Sequence, residues 1–290
     1  SLGFDGVVCT DWGIITDSKV KEASAWGMEE FTPKERIKKV IEAGCDQIGG
    51  EFVPELIVEL VESGQISEER IDISVRRILR DKYRLGLFDN PYVDKQRALE
   101  IAGNSLFVEK GKQAQAKSMV LLKNQNLLPL KEGIKVYAEG MTDLSGLLSY
   151  AEVVRNPADA DVIITRIATP WQKREGGSFF ESFFRGGRLY YSEEELDDIL
   201  ALIDQKPAVV VANLYRPTIL TEINERCDAL MADFDTSDEV LADVLFGKRR
   251  AEGKLPFELP SSHSAVDKQL EDLPYDSEDP LYEFGWGLAY

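Results

Sequence analysis

The feature that most constrains this chain is an alternation. Short apolar runs recur at residues 119–122, 134–138, 161–165, 208–213 and 228–232, separated by stretches of helical periodicity such as residues 193–203 and 239–246. Runs this short, with no polar residue at every second position, are what strands buried on both faces require. Alternated with amphipathic helices, they predict an α/β fold: a doubly wound, largely parallel sheet with helices on both faces, the flavodoxin-like sandwich. A further helix is predicted over residues 104–118, just before the first run.

The first ninety residues follow the same grammar more loosely. Val7, Val8 and Cys9, flanked by glycines, predict a fully buried parallel strand that ends on Asp11, Trp12 and Gly13. A polar stretch to Phe31, containing Trp26, reads as a long loop on the same face as Asp11. Thr32-Pro33-Lys34-Glu35 has the form of a capping box and opens a helix with Ile37, Val40 and Ile41 on its buried face, stopped by Gly44. Residues 46–49 predict a second strand and residues 54–63 a helix, and Ser67 caps a third helix that runs to Leu85 with Gly86 as its stop. Strand, helix, strand, helix, helix is the closing portion of a (β/α)8 barrel. The Asn90-Pro91 step breaks the periodicity, so residues 1–88 are expected to be the barrel portion, 89–103 a linker and 104–290 the sandwich domain.

Composition excludes several functions. A length of 290 residues allows two folding units, and a net charge of −18 argues against nucleic acid and anionic membrane surfaces, which need clustered Lys and Arg. No run approaches the roughly 18 apolar residues of a membrane span. Cys9, Cys45 and Cys227 form no C-x-x-C pair and are read as buried small hydrophobes, and the lone His263 supports neither a Ser-His-Asp triad nor a metal site. A non-catalytic flavodoxin-like binding module is the alternative on fold grounds, yet no Gly-rich phosphate cradle stands between a strand and a helix.

A carboxylate at the carboxyl end of a buried parallel strand sits where α/β folds place reacting groups, although a lone Asp there can equally cap a turn. The whole string Gly3-Phe4-Asp5-Gly6-Val7-Val8-Cys9-Thr10-Asp11-Trp12-Gly13 resembles the nucleophile segment of glycoside hydrolase family 3, the retaining β-glucosidases and β-xylosidases, with Thr10 where serine is usual. Glu42-Ala43-Gly44-Cys45-Asp46, then Ile78-Leu79-Arg80 to Gly86-Leu87-Phe88, then Val120-Leu121-Leu122-Lys123-Asn124 to Leu127-Leu128-Pro129-Leu130 agree in the right order. The ending Pro280-Leu281-Tyr282-Glu283-Phe284-Gly285-Trp286-Gly287-Leu288 is also similar, with Trp286 where histidine or tyrosine is commoner.

The resemblance implies a retaining exo-β-glycosidase, a β-glucosidase foremost, with Asp11 as nucleophile and no metal or organic cofactor. Branches acting on N-acetylglucosaminides or by phosphorolysis are the alternative within the family. The acid/base residue is implied to lie on a loop of the sandwich domain, and the comparable stretch runs from Thr169 to Gly187. Glu181, among Phe179, Phe180, Phe183 and Phe184, is the first choice because apolar neighbours keep a carboxyl protonated; Glu175, beside Arg174, is the second. Trp12 and Trp171 are expected as sugar platforms and Arg166 and Arg174 as donors to sugar hydroxyls, while Trp26 and Trp286 are assigned to packing. A complete barrel takes about 200 to 250 residues, so the earlier strands are expected from the same polypeptide or from a partner chain. A homo-oligomer is left open.

Overall fold

The computed structural model describes residues 3–17, 23–172 and 186–289. They form two compact units, Ser1–Ile101 and Ala102–Tyr290.

In the first unit, strand β1 (Cys9–Trp12) pairs in parallel with β2 (Gln47–Gly49), Cys9 opposite Gln47 and Trp12 opposite Gly49. Helix α1 (Pro33–Glu42) joins them and begins with the predicted capping box: the Thr32 hydroxyl accepts from Glu35 N while the Glu35 carboxylate accepts from Thr32 N. Two helices follow β2, namely α2 (Pro54–Glu62) and α3 (Glu68–Arg84), the latter capped by Ser67. Ile15, Ile37, Ile41, Leu60 and Ile66 are the buried core of this unit.

Three expectations are corrected here. Strand β1 is not fully buried: Val8 is 37% exposed, Trp12 is 73% exposed, and Cys9 and Asp11 are exposed as well. The sheet has only two strands, so among the described residues β1 is covered along one edge alone. For the same reason Cys9 is exposed and Cys45 half-buried, and only Cys227 behaves as a buried small hydrophobe. The segment expected to be a linker contains a short helix, α4 (Lys95–Ile101), with no buried residue.

The second unit opens with α5 (Ser105–Ser118), capped by the Asn104 side chain, and then alternates: β3 (Val120–Asn124), β4 (Lys135–Glu139), α6 (Ser145–Leu148), β5 (Glu152–Val153), β6 (Val162–Ile167), α7 (Glu193–Ile203), β7 (Ala208–Asn213), α8 (Thr221–Arg226), β8 (Ala229–Asp233), α9 (Asp238–Leu245) and α10 (His263–Asp267). The sheet order is β3-β8-β7-β6-β4-β5, parallel throughout except that the edge strand β3 runs antiparallel to β8. Each strand face feeds its own core. Val209 and Val211 pack on the side of α9 with Met231 and Leu241, whereas Val210 and Ala212 pack on the other side with Ile203, Leu220 and Ile223. Each of the three buried valines contributes about 1.5 to 3 kcal/mol of transfer free energy, which is why this run contains no polar residue before Asn213.

The chain reverses direction across the sheet between β4 and β6, the place where doubly wound folds usually open a ligand crevice. Here that place is filled by backbone. Gly140 has φ 75°, and a Cβ on it would stand 1.9 Å from the Arg166 carbonyl oxygen. The carboxyl-terminal residues return to the sheet, where the Trp286 indole donates to the Leu122 carbonyl at 3.0 Å and Leu288 bridges to Leu121.

Candidate active site

Asp11 lies near the carboxyl end of β1 with its side chain exposed. Its Oδ1 accepts the Trp12 backbone N–H at 2.7 Å, and Oδ2 has no hydrogen-bond partner among the described residues. Thr10 ties this segment to the neighbouring strand. Its hydroxyl donates to the Asp11 carbonyl at 2.8 Å and accepts from Gly49 N at 2.9 Å, so the threonine performs a cross-strand link that needs only a hydroxyl.

The Trp12 ring rests against Gly49 and Gly50. A Cβ on Gly50, at φ 66°, would stand 2.6 Å from Trp12 Cε3, and one on Gly49 would stand 2.8 Å from the Thr10 carbonyl oxygen. The rest of the ring is open, as an aromatic platform must be.

The loop after Trp12 is held by two residues that sequence reasoning missed. Glu51 accepts from Ile15 N at 3.0 Å and Thr16 N at 3.1 Å through Oε1, and from the Thr16 hydroxyl at 2.6 Å through Oε2. Arg36, buried at the start of α1, donates to the carbonyls of Ile15 at 3.0 Å, Met28 at 2.9 Å and Glu29 at 2.5 Å. The only sequence signals were the position of Glu51 directly after a strand-ending glycine pair, and the placing of Arg36 one turn before Val40 on the inward edge of its helix.

At the opposite end of the strand pair, the Asp46 side chain is buried. It accepts from Val8 N at 3.0 Å and Ser74 Oγ at 2.7 Å, and pairs with Arg77 at 3.0 Å. Burial alone would raise its pKa, but these hydrogen bonds and the Arg77 charge outweigh it and hold the carboxyl below its ordinary value. The two carboxylates thus divide their work: Asp46 is saturated by internal partners, and Asp11 keeps an oxygen available.

In the second unit, Arg166, expected as a donor to sugar hydroxyls, pairs with the buried Asp233 at 2.5 Å and with Asp238 at 2.8 Å, and donates to the Thr236 carbonyl at 2.7 Å. Burial pushes the Asp233 carboxyl upward despite Arg166 and the Asn213 amide. The pairing has a plain cause: β6 and β8 flank β7 and place Arg166 and Asp233 near strand ends on either side of it, where a buried charge needs a partner.

Trp171 is about half exposed, at 47%. Glu175, Glu181 and Arg174 lie outside the described residues. The stems of their segment are described and are cross-linked. Gln172 N donates to the Gly186 carbonyl at 2.9 Å, and Gly187, at φ 77°, passes so close that a Cβ would stand 2.6 Å from Gln172 Cβ. One arginine, also missed from sequence, gathers both stems: Arg216 donates to the carbonyls of Pro170 and Arg188 at 2.9 Å and of Gly186 and Gly187 at 3.2 Å. Of the two tryptophans assigned to packing, Trp286 is 41% exposed but holds the Leu122 carbonyl and lies against Tyr282, whereas Trp26 is 72% exposed. Among the described residues no group of three His, Cys, Asp or Glu side chains could hold a metal ion.

Comparison with known proteins agrees with this layout. Residues 1–80 match the glycosyl hydrolase family 3 N-terminal domain, and residues 139–290 match the glycosyl hydrolase family 3 C-terminal domain. The probable β-glucosidase C of Aspergillus flavus is 43% identical over 298 residues, covering 100% of this chain and 46% of that protein. The periplasmic β-glucosidase/β-xylosidase of Dickeya chrysanthemi is 39% identical over 303 residues, covering 99% and 46%. In fold, the crystal structure of a Listeria innocua β-glucosidase in complex with glucose superposes with a TM-score of 0.74 at 24% identity, over 99% of this chain and 47% of that one. The chain therefore spans about half the length of these relatives. A barrel-end unit with an exposed strand-end carboxylate, followed by a doubly wound α/β unit, is the layout of one class of glycoside hydrolase. The chain belongs to glycosyl hydrolase family 3.

Proposed function

We propose that this chain carries the reacting carboxylates of a retaining exo-β-glycosidase, a β-glucosidase, which releases terminal non-reducing β-linked sugars. The observation that supports it most is the Asp11 carboxylate, exposed at a strand's carboxyl end with Oδ1 fixed by Trp12 N and Oδ2 open. In the first step Oδ2 attacks the anomeric carbon while the bond to the leaving oxygen breaks, and that oxygen takes a proton from the acid/base residue. In the second step the same residue removes a proton from water, which attacks the anomeric carbon and frees Asp11. Glu181 is the first choice for that residue and Glu175 the second. The open Trp12 ring supplies an apolar platform for a pyranose, and Trp171 and Arg174 are further contacts.

The remaining barrel strands, from the same polypeptide or a separate chain, complete the site and hold the non-reducing sugar. Two observations support this: the chain spans 46% of its Aspergillus relative, and its first unit leaves Phe52 91% and Phe4 70% exposed. An open apolar cleft of about 360 Å³ between α2 and α3 is lined by Ile48, Phe52, Ile57, Val75 and Ile78. The decisive experiment is mechanism-based labelling of the full-length protein with a 2-deoxy-2-fluoroglucoside, followed by peptide mapping. The label is expected on Asp11, and a label on any other residue overturns the assignment.

A further inference from the structure

Three consecutive residues at the end of β2, Gly49, Gly50 and Glu51, meet three successive features around Asp11. The Gly49 N–H holds the Thr10 hydroxyl at 2.9 Å. Gly50 leaves the space that the Trp12 ring fills. Glu51 takes up the N–H groups of Ile15 and Thr16 and the Thr16 hydroxyl. Only Gly13 and Ile14 separate the first of these anchors, Ile15, from Trp12, and Ile15 itself is fully buried in the unit's core. Asp11 and Trp12 are thus bracketed on both sides by one short segment of the adjacent strand.

We infer that Glu51 is a positioning residue for the nucleophile. Its carboxylate fixes the chain just downstream of Trp12, and through the Trp12 N–H it sets which way the Asp11 carboxylate faces. Ile15 N and Thr16 N are adjacent donors with one shared acceptor, Oε1 of Glu51. Arg36 on the Ile15 carbonyl, Ser24 N on the Gly13 carbonyl and the buried Ile15 side chain retain the loop as a whole. Without Glu51, however, the N–H groups of Ile15 and Thr16 lose their acceptor, and the chain between Trp12 and Ile15 can shift about Gly13, whose φ of 67° gives it the conformational latitude of glycine. A carboxylate displaced by about 1 Å from its line of attack loses on the order of 100-fold in rate. This inference rests on the reading of Asp11 as nucleophile.

The geometry also says which replacement is tolerated. The amide of a glutamine at this position presents a carbonyl oxygen to Ile15 N and Thr16 N and an NH2 group to the Thr16 hydroxyl, which can then accept. What matters is the acceptor, not the charge.

The test uses the full-length enzyme and three variants. Glu51→Ala is expected to lower kcat for an aryl β-glucoside by on the order of 100-fold, with KM changed much less. It should slow both formation and hydrolysis of the glycosyl-enzyme, which stopped-flow kinetics separates, because both steps use the same carboxylate. Glu51→Gln is expected to recover activity to within about 3-fold of the parent. Thr16→Val, which removes only the Oε2 contact, should fall between the two and serves if Glu51→Ala does not fold. The inference is overturned if folded Glu51→Ala keeps the parental kcat, if Glu51→Gln is as impaired as Glu51→Ala, or if Thr16→Val, used in its place, matches the parent. A fluoroglucoside label that appears elsewhere than on Asp11 shows instead that the underlying reading of the site has failed.

Discussion

Arg216 donates to the carbonyl oxygen of Pro170 at 2.9 Å, and through the same guanidinium it binds the carbonyls of Gly186, Gly187 and Arg188. The two stems of residues 173–185 are therefore joined by a single side chain. Replacing Arg216 with alanine strips the Pro170, Gly187 and Arg188 carbonyls of this donor, while Gly186 keeps the Gln172 N–H. Unpaired buried polar groups cost about 1 to 3 kcal/mol each, less where water reaches them. Arg216→Ala is expected to lower the urea midpoint by an amount equivalent to about 2 to 4 kcal/mol, with Arg216→Lys intermediate. If Glu181 or Glu175 is the acid, Arg216→Ala also slows glucosides with poor leaving groups more than aryl glucosides with good ones. Equal slowing of both would separate Arg216 from the acid step.

Asp11→Ala in the full-length enzyme should reduce kcat by on the order of 10⁴-fold or more with an unchanged circular dichroism spectrum. Added azide should then attack the anomeric carbon from the vacated face and give the inverted glycosyl azide, identified by its NMR coupling constants. Rescue with retained configuration at the anomeric carbon would assign Asp11 the acid/base role instead, because a glycosyl-enzyme would still have formed.

Gly50→Ala places a methyl group 2.6 Å from Trp12 Cε3 at a residue with φ 66°. The expected outcome is a loss of about 1 to 2 kcal/mol in stability together with a displaced Trp12 ring. Tryptophan fluorescence should shift, and KM for a β-linked disaccharide should rise by about 10-fold, equivalent to 1.4 kcal/mol of binding. An unchanged KM would remove Trp12 from the sugar platform.

The second unit should lose stability in acid through Glu109. Hydrogen bonds from Arg249, with a further one from Gln113, hold its pKa at about 2, against an ordinary value of 4.5. A carboxyl depressed on folding contributes its full stabilisation above pH 4.5, and that contribution is lost as the pH falls toward 2. The pair is partly exposed, so salt should weaken the effect. Asp233, raised by burial, works in the opposite direction, so the readout is a comparison: between pH 5 and pH 3 the urea midpoint of Glu109→Gln should fall less than that of the parent. Parallel pH profiles would refute this account.

The 290-residue chain by itself should bind a fluorescent apolar dye at its first unit and hydrolyse no aryl β-glucoside, while the full-length protein does hydrolyse it. Activity of the chain alone would refute the need for the remaining barrel strands.

The local part of this structure was legible in the sequence. The capping box at Thr32 and Glu35, the cap at Ser67, the stop at Gly86 and the strands over residues 208–213 and 228–232 all appear close to where periodicity and capping chemistry place them. These signals span a few residues, and the interactions that realise them are equally short in range. The strand-end position of Asp11 was legible too, because an apolar run followed by Asp, Trp and Gly is a contiguous string. Partnership was not legible. Arg166 and Asp238 are 72 positions apart, Glu51 and Ile15 36, and Arg216 and Pro170 46. No local pattern says that β6, β7 and β8 lie side by side, or that the turn after β2 meets the loop after β1. The antiparallel edge strand β3 and the exposure of β1 were hidden for the same reason: an apolar run encodes a strand's appetite for burial, and only strand pairing in three dimensions decides which strands satisfy it. The sequence by itself thus determined the elements and singled out Asp11 at a strand end, and the tertiary structure decided which side chains hold the loop that follows it.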